Sequence, residues 1–158
     1  MKKLFFIKIL TFLILVIFPL VSFSFNESHL QKLKSLNQCS QCDLASAVLS
    51  EESLKNAVLN NTNLKEANLT NTKLHRANLK EANLSGADLS NAYLEFTNLE
   101  YSNLIGADLS GADLYYANLE NADFSEANLG TAMIEFTDLS KAVLCNTNTP
   151  LGINDSGC

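Results

Sequence analysis

An apolar residue falls on every fifth position from Leu44 to Leu144. The series includes Leu64, Leu84, Leu89, Leu104, Leu109 and Leu129, accepts Phe124 and Ile134 in place of Leu, and holds for 21 consecutive positions. Two residues before each of these stands Ala at 14 of the 21 sites, with Thr, Ser or Cys at six and Glu52 at the remaining one. Directly before the apolar residue, Asn or Asp fills 14 of 21 positions. The pattern is regular enough to dictate backbone geometry.

A period of five fits neither regular element. In an α-helix five residues advance the face by about 500°, or 140° net, which scatters the leucines around the cylinder. In a continuous strand five is odd, so alternate leucines face opposite sides. The small residue and the Leu are two apart and do share a face in extended geometry. A chain that buries all of them therefore turns once per unit. Asn, Asp, Gly and Ser suit those turns, because they bond nearby backbone or tolerate unusual dihedrals. The prediction is a narrow all-β solenoid with Leu along its axis and the small residue making room for the bend.

The units Gly86-Ala87-Asp88-Leu89-Ser90 and Gly111-Ala112-Asp113-Leu114-Tyr115 carry the pattern Ala-(Asp/Asn)-Leu-x-x intact, and residues 42–146 resemble the pentapeptide-repeat proteins. The resemblance implies a right-handed quadrilateral β-helix with four units, or twenty residues, per coil. On that basis residues 42–146 form about five coils, roughly 24 Å long at the ~4.8 Å spacing of stacked strands. A second periodicity within the chain agrees with a twenty-residue coil. Phe96, Tyr116 and Phe136 are outward positions twenty apart, with Arg76 next in line, and Gly86 and Gly106 repeat at the same interval. Such a column would allow aromatic and cation–π contacts. It either stiffens the wall or forms a partner-binding face.

An open coil exposes unpaired edges, so both ends need covering. In residues 25–41, Ser28 and Gln31 have capping-box spacing, and Leu30, Leu33 and Leu36 recur every three residues. These features predict a short helix or turn over 28–37 as the N-terminal cap. Residues 147–158 abandon the repeat, and Pro150 and Gly152 mark a turn in a C-terminal cap.

The first 24 residues differ from the rest. Lys2 and Lys3 precede an apolar run from Ile9 to Val21 with Thr11 as its only polar side chain, then Pro19 and the small-x-small end Ser22-Phe23-Ser24. This is the pattern of a secretory signal peptide cleaved after Ser24, with an uncleaved anchor as the alternative. The expected location is periplasmic or secreted. Export gives the four cysteines their context. Cys39, Cys42, Cys145 and Cys158 all lie after the signal and flank the repeat, an arrangement that favours disulfides. Of three possible pairings, Cys145–Cys158 with Cys39–Cys42 is preferred; a redox dithiol and zinc binding are the other readings.

Charge divides the remainder. Residues 25–80 hold seven bases and five acids, whereas residues 81–158 hold Lys141 against 12 acids. Direct nucleic-acid binding is not expected of so acidic a surface. Some proteins of the resembled family use an acidic rod to imitate DNA and occupy type II topoisomerases, which supplies an alternative function. No catalytic constellation, phosphate loop or metal motif is present, no cofactor is implied, and His29 and His75 read as solvated histidines. The sequence therefore points to an exported, non-enzymatic β-helical scaffold that binds a protein or envelope partner through its outer surface.

Overall fold

A computed structural model describes residues 26–158. The signal-peptide expectation concerns residues 1–24 and lies outside the described residues.

From Gln38 to Asn148 the backbone pairs in parallel with itself twenty residues further on, with a gap only where Asp138 would meet Asn118 and instead starts a 3₁₀ turn. Bridges join Gln38 to Val58, Asn63 to Asn83, Asp88 to Asp108 and Asn128 to Asn148. The Leu89 N–H donates forward to the Asp108 carbonyl at 2.7 Å, and the Asp88 N–H donates back to Ala67 at 3.0 Å. Between bridges the chain corners: the Ala47 N–H closes a turn onto the Leu44 carbonyl at 3.0 Å, and the same bond recurs at almost every unit. Five residues per corner and twenty per circuit make a four-sided parallel β-helix. Each side contributes a single bridge before the next corner. The only named strands among the described residues are therefore β1 (Thr147–Thr149) and β2 (Gly152–Asn154), an antiparallel hairpin at the end.

The axial column is dry. Leu44, Leu64, Leu84, Leu89, Leu104, Leu109 and Leu129 are fully buried, as is Phe124, and Leu144 is 2% exposed. The alanines two residues earlier are buried beside them, which is why little larger is admitted there. Where Thr replaces Ala, its hydroxyl reaches a carbonyl of the preceding circuit. Thr62 donates to Cys39 O at 2.6 Å, Thr72 to Leu49 O at 2.8 Å, and Thr97 to Leu74 O at 2.9 Å. A buried hydroxyl with an acceptor costs little. The column loosens near its end. Ile134 and Leu139 are only partly buried, and Leu139–Lys141 forms a 3₁₀ turn started by Asp138, so this corner departs from the repeat.

Helix α1 (Glu27–Leu36) packs Leu30 and Leu33 onto the core. Two expectations are corrected here. Asn26, not Ser28, is the N-cap: its Oδ1 accepts from the Ser28 N–H at 3.0 Å and the Ser28 hydroxyl at 2.7 Å, while Gln31 bonds Glu27. Leu36 is 61% exposed, because a spacing of three drifts around a helix of 3.6 residues per turn and leaves the buried face. Asn37 ends the helix in the left-handed region, its N–H on Leu33 O at 2.8 Å and its side chain on Lys55 O at 2.8 Å.

Candidate functional site: an aromatic side of the β-helix

The corners decide which residues point outward. Every fifth residue from Gln41 to Glu126 has positive φ, the second residue after each axial position. Gly86, Gly106 and Gly111 occupy this place, where glycine carries no penalty. Asn56, Asn61, Asn71, Asn91 and Asn121 are there too, and Asn is the next most tolerant residue. Phe96, Tyr101, Tyr116 and Phe136 also sit there, with φ between 53° and 57°, which is uncommon for bulky side chains. Opposite each corner's entry, Asn or Asp side chains accept from the N–H two residues on, as in Asn63 to Lys65 at 3.2 Å and Asp113 to Tyr115 at 3.0 Å. Thr131 and Lys141 fall on the same register without positive φ, consistent with the loosened end.

The twenty-residue circuit stacks three outward columns on one side. Ser53, Lys73, Tyr93, Asp113 and Met133 bridge successively. Lys55, His75, Glu95, Tyr115 and Glu135 follow the axial residue, and Asn56, Arg76, Phe96, Tyr116 and Phe136 take the next place. In this third column the Arg76 guanidinium lies 5.5 Å from the Phe96 centroid. Phe96 and Tyr116 stack at 5.6 Å and 8°, and Tyr116 and Phe136 at 5.2 Å and 7°. Tyr115 stands edge-on to all three rings at 4.6–5.8 Å, and His75 is edge-on to Phe96 at 5.5 Å. The ladder is a continuous strip that remains open to solvent: Phe96 is 44% exposed, Tyr116 49% and Phe136 69%. Tyr93 and Met133 add exposed apolar surface on the same side.

Above the ladder, Lys55, Lys73, His75, Tyr93 and Glu95 line an open cleft of about 440 Å³. His75 Nδ1 is 3.8 Å from Glu95 Oε2, an oxygen that is buried and lacks a hydrogen-bond partner. Lys55 and Lys73 have no carboxylate within 4.0 Å among the described residues. On the neighbouring side Lys80 bonds Glu100 at 3.0 Å, which raises its pKa, and lies over Tyr101 at 5.6 Å. The Ser90 hydroxyl and N–H, donating to Asp88 at 2.6 and 2.9 Å, lower that carboxyl's pKa, and Ser140 does the same to Asp138.

The cysteines pair as Cys39–Cys42, with both residues buried under α1, and as Cys145–Cys158, which ties the tail back to the last circuit. Neither histidine is simply solvated. His29 Nδ1 accepts from the Asp43 N–H at 2.9 Å and His75 packs on Phe96; both are half-buried. Tyr93, Tyr115 and Met133 escaped the sequence reading, although alignment in rows of twenty assigns them to the same side as Phe96. Among the described residues no group of three or more His, Cys, Asp and Glu is set to hold a metal ion, and no helix is long and apolar enough to cross a membrane.

The repeat is matched among known proteins. The family model for pentapeptide repeats matches residues 38–76, 77–114 and 92–130, with eight copies. Among solved structures, the chain is similar to the pentapeptide repeat protein Rfr23 from the cyanobacterium Cyanothece 51142, at 30% identity over 68% of this chain and 90% of that one, with a TM-score of 0.38. It is similar to alr5209, a pentapeptide repeat protein from Nostoc Pcc 7120, at 29% identity over 73% and 89%, with a TM-score of 0.44. The plasmid-mediated fluoroquinolone resistance protein QnrB1 is 19% identical over 76% and 73%, with a TM-score of 0.32. A search of curated proteins finds no match. Proteins of this kind fold as right-handed β-helices. With the family model covering well over half its length, and the same five-residue unit visible in its leucine column and its corners, this chain belongs to the pentapeptide-repeat family.

Proposed function

We propose that this protein is an exported, non-enzymatic scaffold that binds a protein or cell-envelope partner through its aromatic side. In this reading residues 1–24 are the signal peptide, 25–41 the N-terminal cap, 42–146 a β-helix of about five coils, and 147–158 a C-terminal cap closed by a disulfide. The observation that carries it is the ladder of Phe96, Tyr116 and Phe136: bulky residues held at left-handed corners and left half-open to water. A corner needs only Gly or Asn, so rings there cost conformational energy that a solvated wall does not require. Export is supported by two disulfides with no free cysteine among the described residues, since such bonds persist in oxidising compartments.

The acids of residues 81–158 lie on all four sides, for example Glu126, Asp108, Glu135 and Glu120 on successive columns, which suits a solvated wall more than the two phosphate stripes of a DNA mimic. The test of the scaffold reading replaces Phe96, Tyr116 and Phe136 together by Ser. Loss of captured partners with the β-sheet spectrum retained supports it; an unchanged set of partners removes the face. Fractionation with non-reducing mass spectrometry checks export, expecting cleavage after Ser24 and both disulfides outside the cytoplasm.

A further inference from the structure

The charge on the aromatic side reverses along its length. Lys55 and Lys73 occupy the first two circuits, while Asp113 and Glu135 occupy the fourth and fifth. Each cation shares a column with an acid, Lys73 with Asp113 and Lys55 with Glu135. None of these four makes an ion pair among the described residues. Tyr93 and Phe96 lie midway between the two charged ends.

This arrangement is self-complementary under one symmetry operation. A two-fold axis crossing the side at the level of Tyr93, perpendicular to the axis of the β-helix, brings up a second copy antiparallel and keeps every column on itself. Lys73 then meets Asp113 of the second copy, Lys55 meets Glu135, and Arg76 meets Tyr116. Each contact forms twice, as a closed two-fold interface requires. Phe96 meets Phe96 at the centre. Glu95, the acid at the level of the axis, is turned toward His75 of its own chain at 3.8 Å. A parallel arrangement would instead set Lys on Lys and acid on acid.

We propose that the aromatic side is the interface of an antiparallel homodimer. The proposal rests on the reading of that side as an interaction surface and names its occupant as a second copy of this chain. Other occupants fit less well. A polyanion bound at Lys55 and Lys73 would run onto Asp113 and Glu135. A sugar would need free ring faces, but rings 5.2–5.6 Å apart and within 8° of parallel cover one another and offer edges. The strip is short, about 24 Å at ~4.8 Å per circuit, so the contact is small beside the roughly 800 Å² per partner that stable interfaces bury. Association is therefore weak and salt-sensitive.

Sedimentation of the full chain, expressed with its export signal and kept oxidised, tests this between about 10 μM and about 1 mM at low salt. Lys55 and Glu135 are the residues to exchange, because both are exposed and neither side chain makes a bond within the chain among the described residues. A concentration-dependent dimer is expected, weakened about tenfold by K55E or by E135K alone. The double variant K55E/E135K should return to within about threefold of the parent, because the attraction is rebuilt with its signs exchanged. K73D, as a second position, should weaken the dimer similarly. A monomer throughout the range, single variants without effect, or a double variant no better than the singles overturns the dimer. Loss of a different captured protein on replacing Phe96, Tyr116 and Phe136, alongside an unresponsive sedimentation profile, would overturn the dimer and leave the surface reading standing.

Discussion

At the residue scale the left-handed corner is the controlling feature. Gly106 has φ +66° and a Cβ added there would touch nothing within 4 Å, so Gly106→Ala isolates the conformational cost. It should lower stability by about 1 kcal/mol, a fall of about 3 °C in melting temperature by calorimetry. Gly111→Ala should cost more, because its Cβ would also press on the Asn91 side chain. The titrating residues give a pH profile with two arms. Asp88 and Asp138 have lowered pKa values, so the stability they add is present above the unfolded value near ~4 and is lost as pH falls through the folded one. Lys80 has a raised pKa, so its contribution holds below about 10.4 and is lost as pH rises beyond it. Asp88→Asn should flatten the acid arm of a melting-temperature profile and leave the alkaline arm unchanged. The inward residues were legible because burial is enforced at every fifth position. The handedness of each corner was not, since Glu51, Arg76 and Phe96 take φ values that their residue types do not advertise; the alignment of Gly86, Gly106 and Gly111 was its signal.

At the scale of elements, each circuit leans on its neighbours and damage should spread only locally. Leu89 and Leu104 are fully buried, so Leu89→Asp or Leu104→Asp installs an unpaired carboxylate in the dry column and should unfold the central circuits. A melting temperature within a few degrees of the parent would contradict the inward assignment. The ends behave differently. Reducing Cys145–Cys158, a separation of 13 residues, removes a constraint worth about 3 kcal/mol in the chain-entropy model. Amide exchange should then accelerate across β1 and β2 while residues 64–109 keep their protection. Legibility falls off at these ends for a physical reason. A repeat repays every unit with the same burial, whereas α1, the 3₁₀ turn and the hairpin are each made once, from particular bonds. The Asn26 cap, the Asp43 N–H on His29 and the fold-back of Gly157 onto Leu144 O at 3.0 Å are long-range or idiosyncratic contacts that no spacing announces.

At the scale of the whole molecule, one number, twenty residues per circuit, connects fold to surface. It gathers Arg76, Phe96, Tyr116 and Phe136 into a strip and sets cations above acids on the same side. The column of rings was legible because its members repeat at that interval. Tyr93, Tyr115 and the Glu95–His75 cleft came from neighbouring columns whose members change chemistry from one circuit to the next. The most direct test of the fold that underlies both surface and function is nuclear Overhauser spectroscopy on the isotope-labelled chain. A parallel β-helix requires inter-residue effects between positions twenty apart, such as Asp88 with Asp108 and Tyr93 with Asp113, repeated at each bridge from Gln38–Val58 to Asp113–Met133. Continuous helical connectivities from Leu44 to Leu129, or backbone pairings within that stretch at an interval other than twenty, would contradict it.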